Sequence, residues 1–185
     1  MLVTYEDIRN DESIKTYIDE ADKVLLAMGY TEHSFSHVVK AAKMAEMILL
    51  TLNYPQRTAE LAKIAGYMHD IGNIVNRIDH AQSGAVMAFR LLDRMGMDPA
   101  EIAQVISAIG NHDEGTAAAV NPIAAALILA DKTDVRRTRV RNQDFASFDI
   151  HDRVNFSIQE NRVIVDPVKR TIRHELTMDE SSSVM

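Results

Sequence analysis

The residues of this chain most able to do chemistry are histidines and aspartates standing where a helical pattern calls for apolar side chains. In the segment Gly66-Tyr67-Met68-His69-Asp70-Ile71-Gly72-Asn73, an ionisable pair closes an apolar run. His37 heads a stripe formed by Ala41, Met44, Ala45 and Ile48, so helical phase turns it toward the core. His69 continues the stripe Leu61, Ile64, Ala65 and Met68, and His80 heads Gly84, Met87, Ala88 and Leu91. His112 and Asp113 follow Ile102, Val105, Ile106 and Ile109 in phase, and Asp131 follows Ala124, Leu127 and Ile128. A single inward histidine can stay neutral and bond a carbonyl. Five helices each aiming a histidine or aspartate inward need more. An unpaired buried carboxylate costs several kcal/mol, and Asp70 and Asp131 would both bear that cost. No lysine or arginine lies on these stripes at the right phase. A divalent cation would satisfy the carboxylates and imidazoles together.

The elements that must position these residues read as helices. Capping residues, apolar spacings of three and four, and glycine or proline breaks predict about seven. They fall near 5–10, 12–28, 34–52, from Pro55 to the quoted motif, 80–95, and from the starts Asp98-Pro99 and Asn121-Pro122, where a capping residue precedes a proline at the first helical position. After Asp144 the texture changes. Arg162 to Val165 and Thr171 to Leu176 read as strands joined by an Asp166-Pro167 turn. The fold class is therefore mainly α, a helical domain over 1–143 with its core near 30–141, followed by a small α/β appendage over 144–185 that carries a β-hairpin. Ser181 to Ser183 could cap one more short helix.

The totals exclude several classes. The chain has 185 residues, no cysteine and a net charge of -7. Disulfides, zinc ribbons, iron–sulfur clusters and thiol catalysis are out, and the acidic balance argues against nucleic acid as a partner. The first residues lack a signal-peptide pattern and the longest apolar run, Ile123 to Ala130, is too short to span a bilayer, so the expectation is a cytoplasmic protein with no membrane partner. The ten methionines imply an adaptable core.

His37, then His69-Asp70, then Asp131 within Leu129-Ala130-Asp131-Lys132, resembles the H…HD…D signature of the HD-domain metal-dependent phosphohydrolases. His80 and His112 resemble the further histidines of HD proteins with two metals. The resemblance implies an HD-type helical bundle. It also implies one cation on His37, His69, Asp70 and Asp131, and a second on His80 and His112 with Asp70 as bridge. Mn, Fe, Mg, Co, Ni and Zn are all compatible with oxygen and nitrogen donors. The implied activity is hydrolysis of a small phosphate ester, a nucleotide or another phosphomonoester or diester, by a metal-activated hydroxide. The alternative is a sensor domain that binds metal or a nucleotide without turnover. Asp70 is the central catalytic candidate, with Asp113 or Glu114 as proton relay. Lys132 leads the basic run Lys132 to Arg141 as a phosphate clamp, with Lys40, Arg136 and Arg137 as further substrate-binding candidates. His33, His151 and His174 are expected outside the site. Asn73 stands where cyclic-dinucleotide phosphodiesterases of the HD-GYP branch have lysine, Asn111-His112 replaces paired histidines, and no Gly-Tyr-Pro follows, which argues against cyclic-di-GMP. An exposed edge of the tail hairpin would suit a homodimer.

Overall fold

A computed structural model describes residues 2–179. Eight helices and one hairpin occur among the described residues: α1 (Tyr5–Asn10), α2 (Glu12–Ala27), α3 (Phe35–Thr51), α4 (Gln56–Met68), α5 (His80–Arg94), α6 (Pro99–Gly110), α7 (Pro122–Thr133), α8 (Ile150–Ser157), β1 (Ile158–Asp166) and β2 (Thr171–Met178). The mainly helical expectation holds, and the hairpin pairs antiparallel from Asp166 with Thr171 outward.

The caps act where the sequence puts them. Thr4 and Asp7 form a reciprocal capping box on α1, and Asp11, Ser34, Asp98 and Asn121 each accept a backbone N–H at the start of α2, α3, α6 and α7. Such bonds satisfy donors that have no partner inside the helix. Asp79, which precedes α5, is in the left-handed region at φ 58°, a conformation that aspartate tolerates better than most residues.

The core lies between α3, α4, α6 and α7. Val38, Ala42, Ala45, Ile48, Ile64, Ala65, Ile109 and Leu127 are all essentially inaccessible there. Small residues let the backbones approach. A Cβ on Gly66 would stand 2.8 Å from the Ala42 Cα, so the α3–α4 crossing requires glycine at that point. Removing these apolar faces from water is what holds the bundle closed.

The part of the chain beyond α7 differs from expectation in one respect. Residues 150–157, read without a helix, form α8, capped by Asp149, which accepts from the Asp152 N–H at 2.8 Å. The helix has eight residues and a modest apolar face, too little for periodicity to mark. It also ties back to the body. The Arg136 N–H donates to Asn155 Oδ1 at 3.0 Å, and Asn161 Nδ2 donates to the Val135 carbonyl at 3.0 Å. The Ser181–Ser183 helix start lies outside the described residues. No helix is long and apolar enough to cross a membrane among them.

Candidate metal centre

Each candidate ligand sits at an element end, where helical geometry hands over to a loop. His37 is in the first turn of α3 and His69 caps the C-terminus of α4. Asp70 follows and leads into a short 3-10 turn at Ile71–Ile74, His80 opens α5, His112 lies just past α6, and Asp131 is in the last turn of α7. His37, His69, Asp70, His80 and His112 are all buried.

Their hydrogen bonds fix which ring nitrogen faces inward. A carbonyl oxygen can only accept, so a ring nitrogen bonded to one must carry the proton. His69 Nδ1–H donates to the Gly66 carbonyl at 2.8 Å, His80 Nδ1–H to Arg77 at 3.1 Å and His112 Nδ1–H to Ile109 at 2.6 Å. His37 Nδ1 lies 3.0 Å from the Asp134 carboxylate and donates to it. All four rings, when neutral, therefore turn a bare Nε2 lone pair toward the interior. Burial supports the neutral form at two of them, pushing His112 down to about 4 and also lowering His80.

Those lone pairs meet carboxylates at short range. His37 Nε2 is 3.3 Å from His69 Nε2, 3.3 Å from Asp131 Oδ1 and 3.5 Å from Asp70 Oδ2. His69 Nε2 is 3.2 Å from Asp70 Oδ2 and 3.6 Å from Asp131 Oδ1. Two donors about 2.1 Å from one ion stand roughly 3.0 Å apart at right angles and roughly 3.4 Å apart at tetrahedral angles. The observed separations match that spacing. Asp70 Oδ2 is buried and has no hydrogen-bond partner among the described residues, although His69 lies within 3.2 Å. A buried carboxylate oxygen surrounded by lone pairs needs a cation. Without one, a proton serves: burial alone would lower His69, but Asp70 and Asp131 carry it up to about 10. The residues present thus fit a divalent ion held by His37, His69, Asp70 and Asp131.

A second group shares Asp70. One ligand atom each from Asp70, His80 and His112 lie within 4.8 Å of one another. His80 Nε2 is 3.6 Å from Asp70 Oδ1 and 3.9 Å from Asp113 Oδ1. This group differs from the first in having a guanidinium at hand, Arg77 Nη1 at 3.3 Å from His80 Nε2.

The site opens into a cavity of about 280 Å³. Asp113, Glu114 and Lys132 line it as expected, with Lys132 Nζ 3.2 Å from Asp131 and 3.3 Å from Glu114. Burial opposes the charge on Lys132, but these two carboxylates raise its pKa and hold it protonated. The structure brings the other three basic candidates elsewhere. Lys40 and Arg136 border a separate groove beside β1, with Arg136 paired to Asp134 and Glu32. Arg137 is turned to the Phe156 carbonyl and ring.

Sequence reasoning missed several residues of the cavity. Asp134, which orients His37, lies at the C-cap of α7, past the last residue with helical phase. Its spacing of three from Asp131 was the available signal. Arg77 stands in the irregular stretch before α5, where no periodicity applies. His33 and His151, set outside the site on sequence grounds, both line the cavity, the latter because α8 folds over its mouth together with Val154 and Asn155.

An HD domain family model matches residues 34–139, more than half of the chain. The chain belongs to the HD domain family. Of the HD signature residues, His37, His69 and Asp70 converge as one group, and Asp131 Oδ1 lies 3.3 and 3.6 Å from the two histidine Nε2 atoms. A solved structure described as a predicted HD superfamily hydrolase, from an uncultured Thermotogales bacterium, is 28% identical to this HD protein. The match covers 67% of each chain with a TM-score of 0.52. No curated protein matches the chain.

Proposed function

We propose that this HD protein is a metal-dependent phosphohydrolase acting on a small phosphorylated compound, such as a nucleotide or another phosphate ester. The observation that carries the reading is Asp70: a buried carboxylate with an unpartnered Oδ2 amid histidine lone pairs, at the floor of a cavity that also holds a lysine. The hydrolase description of the Thermotogales relative supports the same class.

A divalent ion held by His37, His69, Asp70 and Asp131 would supply Lewis acidity toward a phosphoryl oxygen and lower the pKa of water. The chain's own residues do the rest. Lys132, kept protonated by Asp131 and Glu114, offers an ammonium to a phosphoryl oxygen at the cavity wall. Asp113 and Glu114 line the same cavity and would accept or return a proton on water. Asp134 holds His37 in the tautomer that presents Nε2, and Asn73 Nδ2 donates to Asp70 Oδ1 at 2.9 Å, which fixes the carboxylate plane.

The test is turnover of para-nitrophenyl phosphate, its bis-ester and nucleoside monophosphates by protein loaded with manganese, zinc or iron, beside metal content per chain. Asp70→Ala is expected to lose metal and hydrolysis together. Full activity in that variant would overturn the reading, and bound metal without turnover of any ester would favour the sensor alternative.

A further inference from the structure

We infer that Arg77 occupies the second cation position of this centre, so that the protein holds one divalent ion per chain and uses the guanidinium in place of another. The inference rests on the metal reading above and concerns how many ions that centre takes.

Five contacts define the position. His80 is fixed with its proton on Nδ1, so its Nε2 lone pair is the acceptor for Arg77 Nη1 at 3.3 Å. The same Nη1 lies 3.3 Å from Asn73 Oδ1. Asn73 is itself held in place, its Nδ2 donating to the Asp70 carbonyl and to Asp70 Oδ1, both at 2.9 Å. On the outer side the guanidinium carbon stands 5.5 Å from the centre of the Tyr30 ring. Arg77 is thus aimed at a donor that an ion would need, by a buried amide with no freedom to turn.

The two donor groups differ in charge as well as geometry. In the first, the Nε2 atoms of His37 and His69 lie 3.3 Å apart and 3.2 to 3.6 Å from Asp70 Oδ2 and Asp131 Oδ1, and the one ammonium that reaches the group, Lys132 Nζ, sits on the other Asp131 oxygen, Oδ2, at 3.2 Å. That group needs a cation from solution. In the second, a guanidinium already sits on the His80 lone pair, on the same nitrogen that lies 3.6 Å from Asp70 Oδ1 and 3.9 Å from Asp113 Oδ1. An arriving ion would have to displace it and meet its repulsion. Arg77 also lines the cavity in which the proposed substrate phosphate would sit. Arg77 therefore sets the metal count and presents a fixed charge to the substrate.

The experiment is the manganese stoichiometry of the full chain, by elemental analysis after desalting and by calorimetric titration with manganese chloride alone. Wild type is expected to bind one ion per chain. Arg77→Ala and Arg77→Gln, the latter keeping most of the side chain's bulk, are expected to bind two, with the second lost again when His80→Ala is added to either. Two ions in wild type, or one in both Arg77 variants judged folded by circular dichroism, would overturn the inference and leave the phosphohydrolase reading standing. No ion in wild type, or an undiminished count in Asp70→Ala, would overturn that reading and this inference together.

Discussion

At the scale of single residues, the centre is governed by which nitrogen of each histidine is protonated. Three backbone carbonyls and one carboxylate make that choice, and Asp134 is the one that carries charge. Asp134→Asn should keep a partner for His37 but remove the charge that raises its basicity, weakening manganese binding by about 10–100-fold in a calorimetric titration. A proton and a metal ion also compete for His69. Its folded value of about 10 lies above the ordinary 6.5, so metal-free protein holds a proton there at neutral pH. Metal loading should therefore release protons into a weakly buffered solution, and affinity should rise with pH between about 6.5 and 10. For stability the sign is opposite. The bound proton stabilises the metal-free fold fully below pH 6.5, and that contribution fades as pH rises through about 10, so the melting temperature without metal should fall over this interval. Five of the six metal candidates were legible because each breaks an apolar stripe in phase, and Asp70 because it stands beside His69 at the end of one. Asp134 and Arg77 were not, because they lie in loops whose geometry no period describes.

At the scale of elements, the positions of the ligands depend on how closely helices approach. Gly72, two residues past Asp70, has its Cα so near the start of α5 that a Cβ would fall 2.0 Å from the His80 carbonyl oxygen and 2.4 Å from the Gly84 nitrogen. Those atoms are backbone and cannot swing aside. Gly72→Ala must push α5 away from the turn that carries Asp70, at a cost of about 1–3 kcal/mol or more. The expected outcome is a melting temperature lower by roughly 2–12 °C, measured by calorimetry. The metal count should be unaffected if His37, His69 and Asp131 still close on Asp70, because the displaced element carries His80, whose Nε2 faces Arg77 rather than the single ion. The glycine itself stands in the sequence, but the close approach it permits is a tertiary fact. Helices α1 to α7 were readable from caps and periodicity. Helix α8 was not, since eight residues with a mixed face carry too little pattern, and its capping aspartate resembles a turn.

At the scale of the whole molecule, the chain after α7 is more than an appendage. The 3-10 turn at Arg137–Arg139 and α8 run back toward the loop after α2, where the buried Arg139 donates to the Glu32 and Asp134 carbonyls at 2.9 Å each. This return brings Ile150, His151, Val154 and Asn155 of α8 into the lining of the cavity that Lys132 also lines. The candidate ligands thus lie on or at the ends of α3 to α7, and α8 lines the cavity without contributing one. His151 is exposed, lines the cavity and makes none of the centre's close contacts. His151→Ala should leave metal content and melting temperature unchanged. If its imidazole donates to a substrate oxygen, the loss of one such bond, about 0.5–1.5 kcal/mol, should raise KM for para-nitrophenyl phosphate by roughly 2–10-fold. Steady-state kinetics on the manganese-loaded variant would check this. An unchanged KM would mean that α8 only excludes water, whereas a lost metal ion would mean that ion holding and substrate contact are not separate.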